Sequence, residues 1–418
     1  MSTRRLRLGF AGNMNCLPFQ YAFKLKQAGH DVLVIVESEP RDFLKRPEYF
    51  YPEITLPYPD WIIPIPLPAS PTRQSFPAWF MRPFLRELNA CDAVFLNDYA
   101  HALKPFLRPG LPAISICSGS DLDVLCRTDN TAERARSIGS RWWLRPFKAP
   151  LLARRTRLQR EGIRQALVVN YFPEGINPVG DRLLEEIMRG RPYCRYQVRG
   201  VALDRFPYVP PPQHDRLVVF SGTRFLWKDP LPPGCNPDEN KGNDFMIRGL
   251  AAFRRRYQGH LEIHFVEKGL HVEEAKALCQ EVGLAPDVIW HREMPMSDLM
   301  QLYARSDICF DQVGRHWLGA VGIYAMATGR PLIANQRPDV FDRLTRDNPI
   351  CHATNAEMVC DWMEKLAASR ALREEIGRAS RAYVLRYHSA DNDVAFFMGK
   401  IEEALAGTQS RSSPCAAS

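Results

Sequence analysis

Two cations bracket one corner of the chain and suggest what it handles. In VVFSGTRFLWKD (218–229), Gly222 and Arg224 follow an apolar run directly. Lys241 then precedes NDFMIRGLAAF, which reads as a helix opening at about Asn243. Arginine and lysine on either side of a strand-to-helix corner can hold a diphosphate and stabilise its charge as it departs. A second stretch points to the same anion. DICFDQVGRHWLGAVGIYAMATGRPLIAN (307–335) runs from a short β-type segment through Gly314 and Gly319 into an Ala/Met-rich helix. It breaks again at Gly329 and enters another apolar run. Glycine at such a corner lets backbone approach a ligand, and the helix start beyond it offers N–H groups and positive dipole. A nucleotide diphosphate fits both stretches.

The first half carries weaker signals. Gly9 and Gly12 flank the end of the first apolar run in LGFAGNMNCLPFQYAFKLKQAGHDV, which lacks the spacing of a dinucleotide fingerprint. Asp98 and His101 lie in FLNDYAHAL, and Asp121 in SGSDLD (118–123). A lone histidine such as His101 or His316 more often hydrogen-bonds within its own fold than acts on a ligand.

The elements that must position these residues alternate regularly. Strand-type runs fall at 6–11, 31–37, 61–65, 93–96, 113–117 and 167–170. After the proline-rich joint FPYVPPP (206–212) they resume at 217–221, 261–266, 288–291, 308–311 and 331–334. Strands alternating with helices imply parallel sheets covered on both faces. At 418 residues the chain exceeds one comfortable core. The expectation is α/β: two Rossmann-like domains with parallel sheets facing across a cleft, ligands meeting the carboxyl ends of the strands. The expected bounds are 1–205, 206–385, a helix at 386–406 crossing back to the first domain, and a disordered tail at 407–418.

These residues resemble a family. SGTR (221–224), the Lys241–Gly242 step, EKGLHVEEAKALCQEVGLAPDVIWH (267–291), MSDLMQLYARSDICFDQ (296–312) and YAMATGRPLIAN (324–335) follow one another as in the donor domain of the retaining GT-B glycosyltransferases called GT4. SGSDLD and RGVALDRF (199–206) extend the likeness into the first half. The resemblance implies transfer of a sugar from an NDP-sugar to an acceptor hydroxyl with retained configuration, the departing phosphate taking the acceptor's proton. Catalytic work would then fall to Asp121, Asp98, Arg224 and Lys241. The donor would be held by Gly12, Gly222, Arg224, Lys241, Glu267, His291, His316, Gly319 and Tyr324. The family's two glutamates, the second binding the donor ribose, are replaced by His316 and Tyr324, and its histidine before Gly-Ser-Asp by Ser118. Glu267 or Asp311 offers a substitute carboxylate. Asp121-Leu122-Asp123 has the form of a metal-holding pair in other glycosyltransferases, yet it falls inside the SGSD segment, so neither metal nor cofactor is expected. Two other readings stay open: a non-catalytic relative that binds nucleotide sugar or glycan as a partner subunit, and a nucleotide-sugar epimerase.

Composition bounds the rest. With 45% hydrophobic and 24% charged residues the chain reads as an ordinary globular enzyme. The eleven cysteines are scattered without a CxxC pair, which argues for free thiols in a reducing compartment. The start, MSTRRLRLGFAGN, reads as a first strand and not as a signal peptide, so a cytoplasmic location is expected. Residues 134–164 carry ten basic and one acidic side chain, interleaved with Trp142, Trp143, Leu144, Phe147, Leu151 and Leu152. That mixture suits peripheral contact with an anionic membrane at its inner face and a glycan or lipid-linked acceptor. No nucleic-acid module is recognisable, and no nucleic-acid partner is expected.

Overall fold

The apolar runs become the strands of two all-parallel sheets. The computed structural model describes the whole chain except residues 1–3, 39–42, 66–74, 138–144, 198–199, 232–234, 237–238, 316, 342–347 and 413–418. It divides into two units. The first comprises 1–173, 178–200 and 390–418; the second comprises 174–177 and 201–389.

In the first unit the strands are β1 (Arg7–Ala11), β2 (Asp31–Glu37), β3 (Ile62–Ile65), β4 (Ala93–Asn97), β5 (Ala113–Ile116), β6 (Val168–Asn170) and β7 (Cys194–Tyr196). They lie in the order β3-β2-β1-β4-β5-β6-β7. Leu8 pairs with Val32 on one side and with Ala93 on the other. β4 is buried along its whole length, as a central strand covered on both faces must be. Helix Ala390–Ser412 belongs to this unit and is anchored by one carboxylate. Asp393 accepts from Tyr21 Oη (2.5 Å), Tyr196 Oη (2.8 Å) and the Gly200 amide (2.6 Å). Phe397 meets Phe95 edge-on at 6.0 Å, and Phe396 stacks on Tyr196 at 4.4 Å. The helix continues to Ser412, into the segment expected to be disordered; 413–418 lie outside the described residues.

The second unit contains β8 (Arg216–Ser221), β9 (His260–Val266), β10 (Val288–His291), β11 (Ile308–Phe310), β12 (Leu332–Ala334) and β13 (Cys351–His352). Their order is β10-β9-β8-β11-β12-β13. Leu217, Val219, Ile263, Phe265, Ile308, Phe310 and Ile333 form the centre of its core with Met246, Leu250 and Val359 from the covering helices. Two strands were not legible in the sequence, β7 and β13. Both are short, and β7 is only half-buried along its length.

The basic stretch folds as two helices, Thr131–Ser137 and Arg145–Arg164, with 138–144, and so Trp142, Trp143 and Leu144, outside the described residues. No helix among the described residues is long and apolar enough to cross a membrane.

Candidate functional site

Each sheet has one place where its strand order reverses, between β8 and β11 in the second unit and between β1 and β4 in the first. Loops leaving such a pair run to opposite faces and open a crevice at the strands' carboxyl ends. The residues singled out in the sequence gather largely at these two crevices.

In the second unit, Thr223 follows β8 and Asp311 follows β11. Thr223 Oγ1 donates to Asp311 Oδ1 at 3.3 Å, and the Gly319 amide donates to Asp311 Oδ2 at 2.5 Å. Gly319 caps the buried helix Ala320–Ala327. Its N–H is therefore engaged by the corner's own carboxylate, and the first-turn amides beyond it are those left for an anion. Burial pushes the Asp311 carboxyl up, while the Gly319 N–H and the nearby Lys241 charge pull the other way.

Lys241 is placed by its main chain. Its N–H donates to Leu226 O (2.8 Å), and its carbonyl accepts from Val313 N (3.1 Å) and Gly314 N (3.0 Å). The next residue, Gly242, has φ +64° and caps helix Asn243–Arg256; a Cβ there would lie 2.6 Å from Gly314 N. Only glycine allows these loops to lie back to back, and their contact holds the buried Lys241 beside the β11 corner. Arg224 is more open: its side chain is 43% exposed, and its Nη2 donates to Glu239 Oε1 at 2.6 Å. Gly222 precedes it on the same turn.

The other expected donor residues are dispersed. Glu267 pairs with Lys276 at 2.8 Å. His291 belongs to a cluster on β9 and β10: its Nε2 is 2.7 Å from His264 Nδ1, and His264 Nε2 is 2.6 Å from Glu262 Oε1. Arg305 Nη2 lies 3.2 Å from the same His264. Burial and this arginine hold both histidines below the ordinary imidazole range. Tyr324 is buried and stacks on Phe206 with ring centroids 4.3 Å apart and planes 9° apart, which assigns its ring to packing. His316 lies outside the described residues.

The first unit builds its crevice from buried side chains. A Cβ at Gly12 (φ +84°) would sit 2.1 Å from the Asn97 carbonyl, so β1 and β4 close on each other there. Asn97 accepts from Met14 N (2.7 Å) and donates to Ile116 O (2.7 Å) and Ser118 Oγ (3.0 Å). Asp98 follows at φ +55° and pairs with Lys45 at 2.6 Å. Asp121 Oδ1 accepts from the amides of Ser118 (2.8 Å) and Gly119 (3.0 Å), and its Oδ2 lies 3.5 Å from His101 Nε2. His101 Nδ1 is 3.1 Å from Ser115 Oγ. Gln159, from helix Arg145–Arg164, ties the corner shut by donating to the carbonyls of Asp98 (2.7 Å) and Asp121 (3.1 Å).

His101, Cys117 and Asp121 bring ligand atoms within 4.8 Å of one another. Asp121 is already occupied by two amides and the histidine by the Ser115 hydroxyl, so the trio works as a hydrogen-bond network that orients Asp121. Lys45 and Gln159 escaped the sequence reading because they reach this corner from a loop and a helix remote in the chain.

Comparison with known proteins agrees with this geometry. Residues 237–383 match the family model of glycosyl transferases group 1. The chain superposes on sucrose-phosphate synthase from Thermosynechococcus elongatus with a TM-score of 0.61 at 15% identity, covering 97% of this chain and 100% of that one. A glycosyltransferase from Rickettsia africae gives 0.62 at 15% identity over 96% and 99% of the two chains. Anabaena HepE in complex with UDP and glucose gives 0.60 at 13% identity over 96% and 100%. No curated relative matches the sequence. The fold is GT-B, and the group 1 match falls on the unit that holds Lys241, Asp311 and Gly319.

Proposed function

We propose that this GT-B chain, whose second unit carries the group 1 glycosyltransferase match, transfers a sugar from a nucleotide diphosphate sugar to an acceptor hydroxyl. The observation that carries the reading is the β8/β11 corner. There a buried lysine and the start of a buried helix stand at the switch point of a parallel sheet, inside the matched segment. A diphosphate seated there gains the helix-start amides and the Lys241 charge, with Arg224 closing from its more open side once it exchanges Glu239 for phosphate. In the reaction the bond between the anomeric carbon and the diphosphate breaks, and a bond to the acceptor oxygen forms. The acceptor's proton passes to the departing phosphate, which leaves as NDP and gives retained configuration. No protein base is needed on that route, which agrees with how fully Asp121 is engaged by its own backbone. The chain supplies position and charge stabilisation. Neither metal nor cofactor enters the proposal.

UDP-glucose is the first donor to test, because a solved structure of Anabaena HepE holds it at the same fold. A lipid-linked or glycan acceptor is favoured by the surface of the first unit. Phe147 is exposed on the basic helix Arg145–Arg164, Arg154 of that helix lies over the Phe76 ring at 4.9 Å, and Trp79, three residues beyond Phe76, is exposed as well. Aromatics among cations suit peripheral contact with an anionic membrane.

The experiment is a thermal-shift panel of the full chain with UDP, GDP, ADP, CMP and their sugars, followed by donor turnover with the ligand that binds. A shift with one diphosphate raises Tm according to its affinity and names the base. A flat panel would instead favour a non-catalytic subunit, for which the stacking of Tyr324 where the family has a ribose-binding carboxylate is the supporting observation.

A further inference from the structure

Around Asp98 the first unit gathers three cations, Lys45, Arg134 and Arg155. Lys45 lies 2.6 Å from Asp98 and 3.7 Å from Glu37, so those carboxylates are already shared. Helix Arg145–Arg164 passes the same corner, fixed there by Gln159. Arg155 precedes Gln159 by one turn and therefore occupies the same face. Its Nε is shielded from solvent and has no hydrogen-bond partner, and no ion pair to it is found among the described residues. Burial brings its pKa down to about 10, with Asp98 pulling it up and Arg134 pushing it further down. Arg134 is itself buried, close to the Val124 carbonyl at 3.4 Å.

Two further features mark this corner. Asp98 keeps a left-handed backbone, φ +55°, a strain that persists where surrounding structure enforces it and that clusters at ligand sites. The neighbouring Tyr99 hydroxyl is buried without a hydrogen-bond partner. A half-buried guanidinium with no ion pair among the described residues, whose nearby carboxylate Asp98 is already bound to Lys45, is poised for an anion from outside the chain.

We infer that Arg155, with Arg134 beside it, binds an anionic group carried by the acceptor, so that the acceptor is a phosphate- or carboxylate-bearing molecule and not a neutral sugar. The word acceptor rests on the transferase reading above; the anion site does not. The planar fork of Arg155 suits two oxygens of phosphate or carboxylate at once, and neither group would compete with Lys45 for Asp98.

The test uses the full chain with UDP, or whichever nucleotide of the thermal-shift panel binds, present in excess, so that the corner of the second unit is filled. Inorganic phosphate, glucuronate and glucose are titrated separately by calorimetry at low and at high salt. Phosphate or glucuronate should bind, more weakly at high salt, and glucose should not. Phosphate alone assigns a phosphoryl group, and glucuronate alone a carboxylate. Arg155→Gln should weaken the anion by about tenfold or more, Arg155→Lys by less, and Arg157→Gln, on the exposed face of the same helix, not at all. Should Arg155→Gln not fold, Arg155→Lys and Arg134→Gln carry the comparison, each expected to weaken binding. Undiminished binding in the Arg155 variants, loss in Arg157→Gln instead, or no anion bound by the native chain overturns the inference. Nucleotide binding is read by the thermal-shift panel: a flat panel with anion binding intact sinks the transferase reading alone, and a nucleotide shift without anion binding sinks this inference alone.

Discussion

The two crevices sit at equivalent places in two parallel sheets and are built from different materials. In the second unit the corner is mostly main chain: Lys241 is held through its own amide and carbonyl, Gly242 and Gly314 press backbone against backbone, and Gly319 opens the helix. In the first unit it is mostly side chain: Asn97, Asp98, His101, Asp121 and Gln159 bind one another and their neighbours' carbonyls. A corner made of backbone presents the same amides whatever side chains line it. That suits the invariant part of a substrate, a diphosphate, and tolerates a change such as Tyr324. A corner made of side chains is redrawn by single substitutions and suits the part that differs between enzymes.

The sharpest test of that contrast is the cation of the second unit. Lys241→Ala should lower turnover by about 10²–10³, or roughly 3–4 kcal/mol of transition-state stabilisation, with little loss of Tm. Arg224→Ala should cost closer to tenfold, because that side chain is half in solvent and already paired to Glu239. Equal rates for the Lys241 variant and the native enzyme would show that the lysine serves the fold only.

Next in size is Gly12→Ala. Its Cβ would overlap the Asn97 carbonyl in a left-handed backbone, so the first unit should lose about 3 kcal/mol or more, visible as a lower denaturation midpoint. An unchanged midpoint would mean that β1 and β4 part easily, and the first corner would lose its rigidity. Asp121→Asn comes after it. Removing the charge that accepts two amides should cost about 1–3 kcal/mol and loosen the 118–121 turn. If the variant keeps its stability and loses turnover, Asp121 acts on substrate and the side-chain corner is catalytic in its own right.

The smallest effect concerns acidity. His264 and His291 have folded pKa values below the ordinary 6.5, so on unfolding below that pH they take up protons. Stability of the second unit should therefore be fully present at neutral pH and fall as pH drops through 6.5 toward the lower folded values. Thermal melts between about pH 7.5 and 5.5 should show this decline, and His264→Gln should flatten it. A decline as steep in the variant would assign it to other groups, His352 among them.

Sequence and structure agree where one residue type imposes one geometry. Asp31–Glu37 and Val288–His291 were legible to the residue because they are bounded by turn residues and filled with β-branched or aromatic side chains. The glycines around β8 and β11 were legible because the close backbone approach of Gly242 to Gly314 leaves no room for a side chain at those places. The environment of Asp98 was not, since Lys45 and the helix that carries Arg155 and Gln159 converge from separate segments and no spacing announces them. His291 shows the opposite failure: its place after β10 marked it for the donor, while the sheet register turns its ring onto His264. The shielding of the Arg155 Nε could not be read at all, because an arginine in a basic run looks solvated until the helix is docked.

The anchoring of helix Ala390–Ser412 by Asp393 has a consequence for synthesis. The first unit cannot be completed from its first 200 residues; Tyr21, Tyr196 and Gly200 receive their shared acceptor only when Asp393 arrives. As the chain leaves the ribosome, residues 201–389 hold everything the second unit's strands require before the first is whole. A nascent chain halted near Ser389 would carry a finished second sheet and an open first one, with Phe95 and Tyr196 still uncovered. Residues 1–200 are thus sealed after residues 201–389 have been made, and a truncation after Ser389 would be felt first at the first unit's sheet.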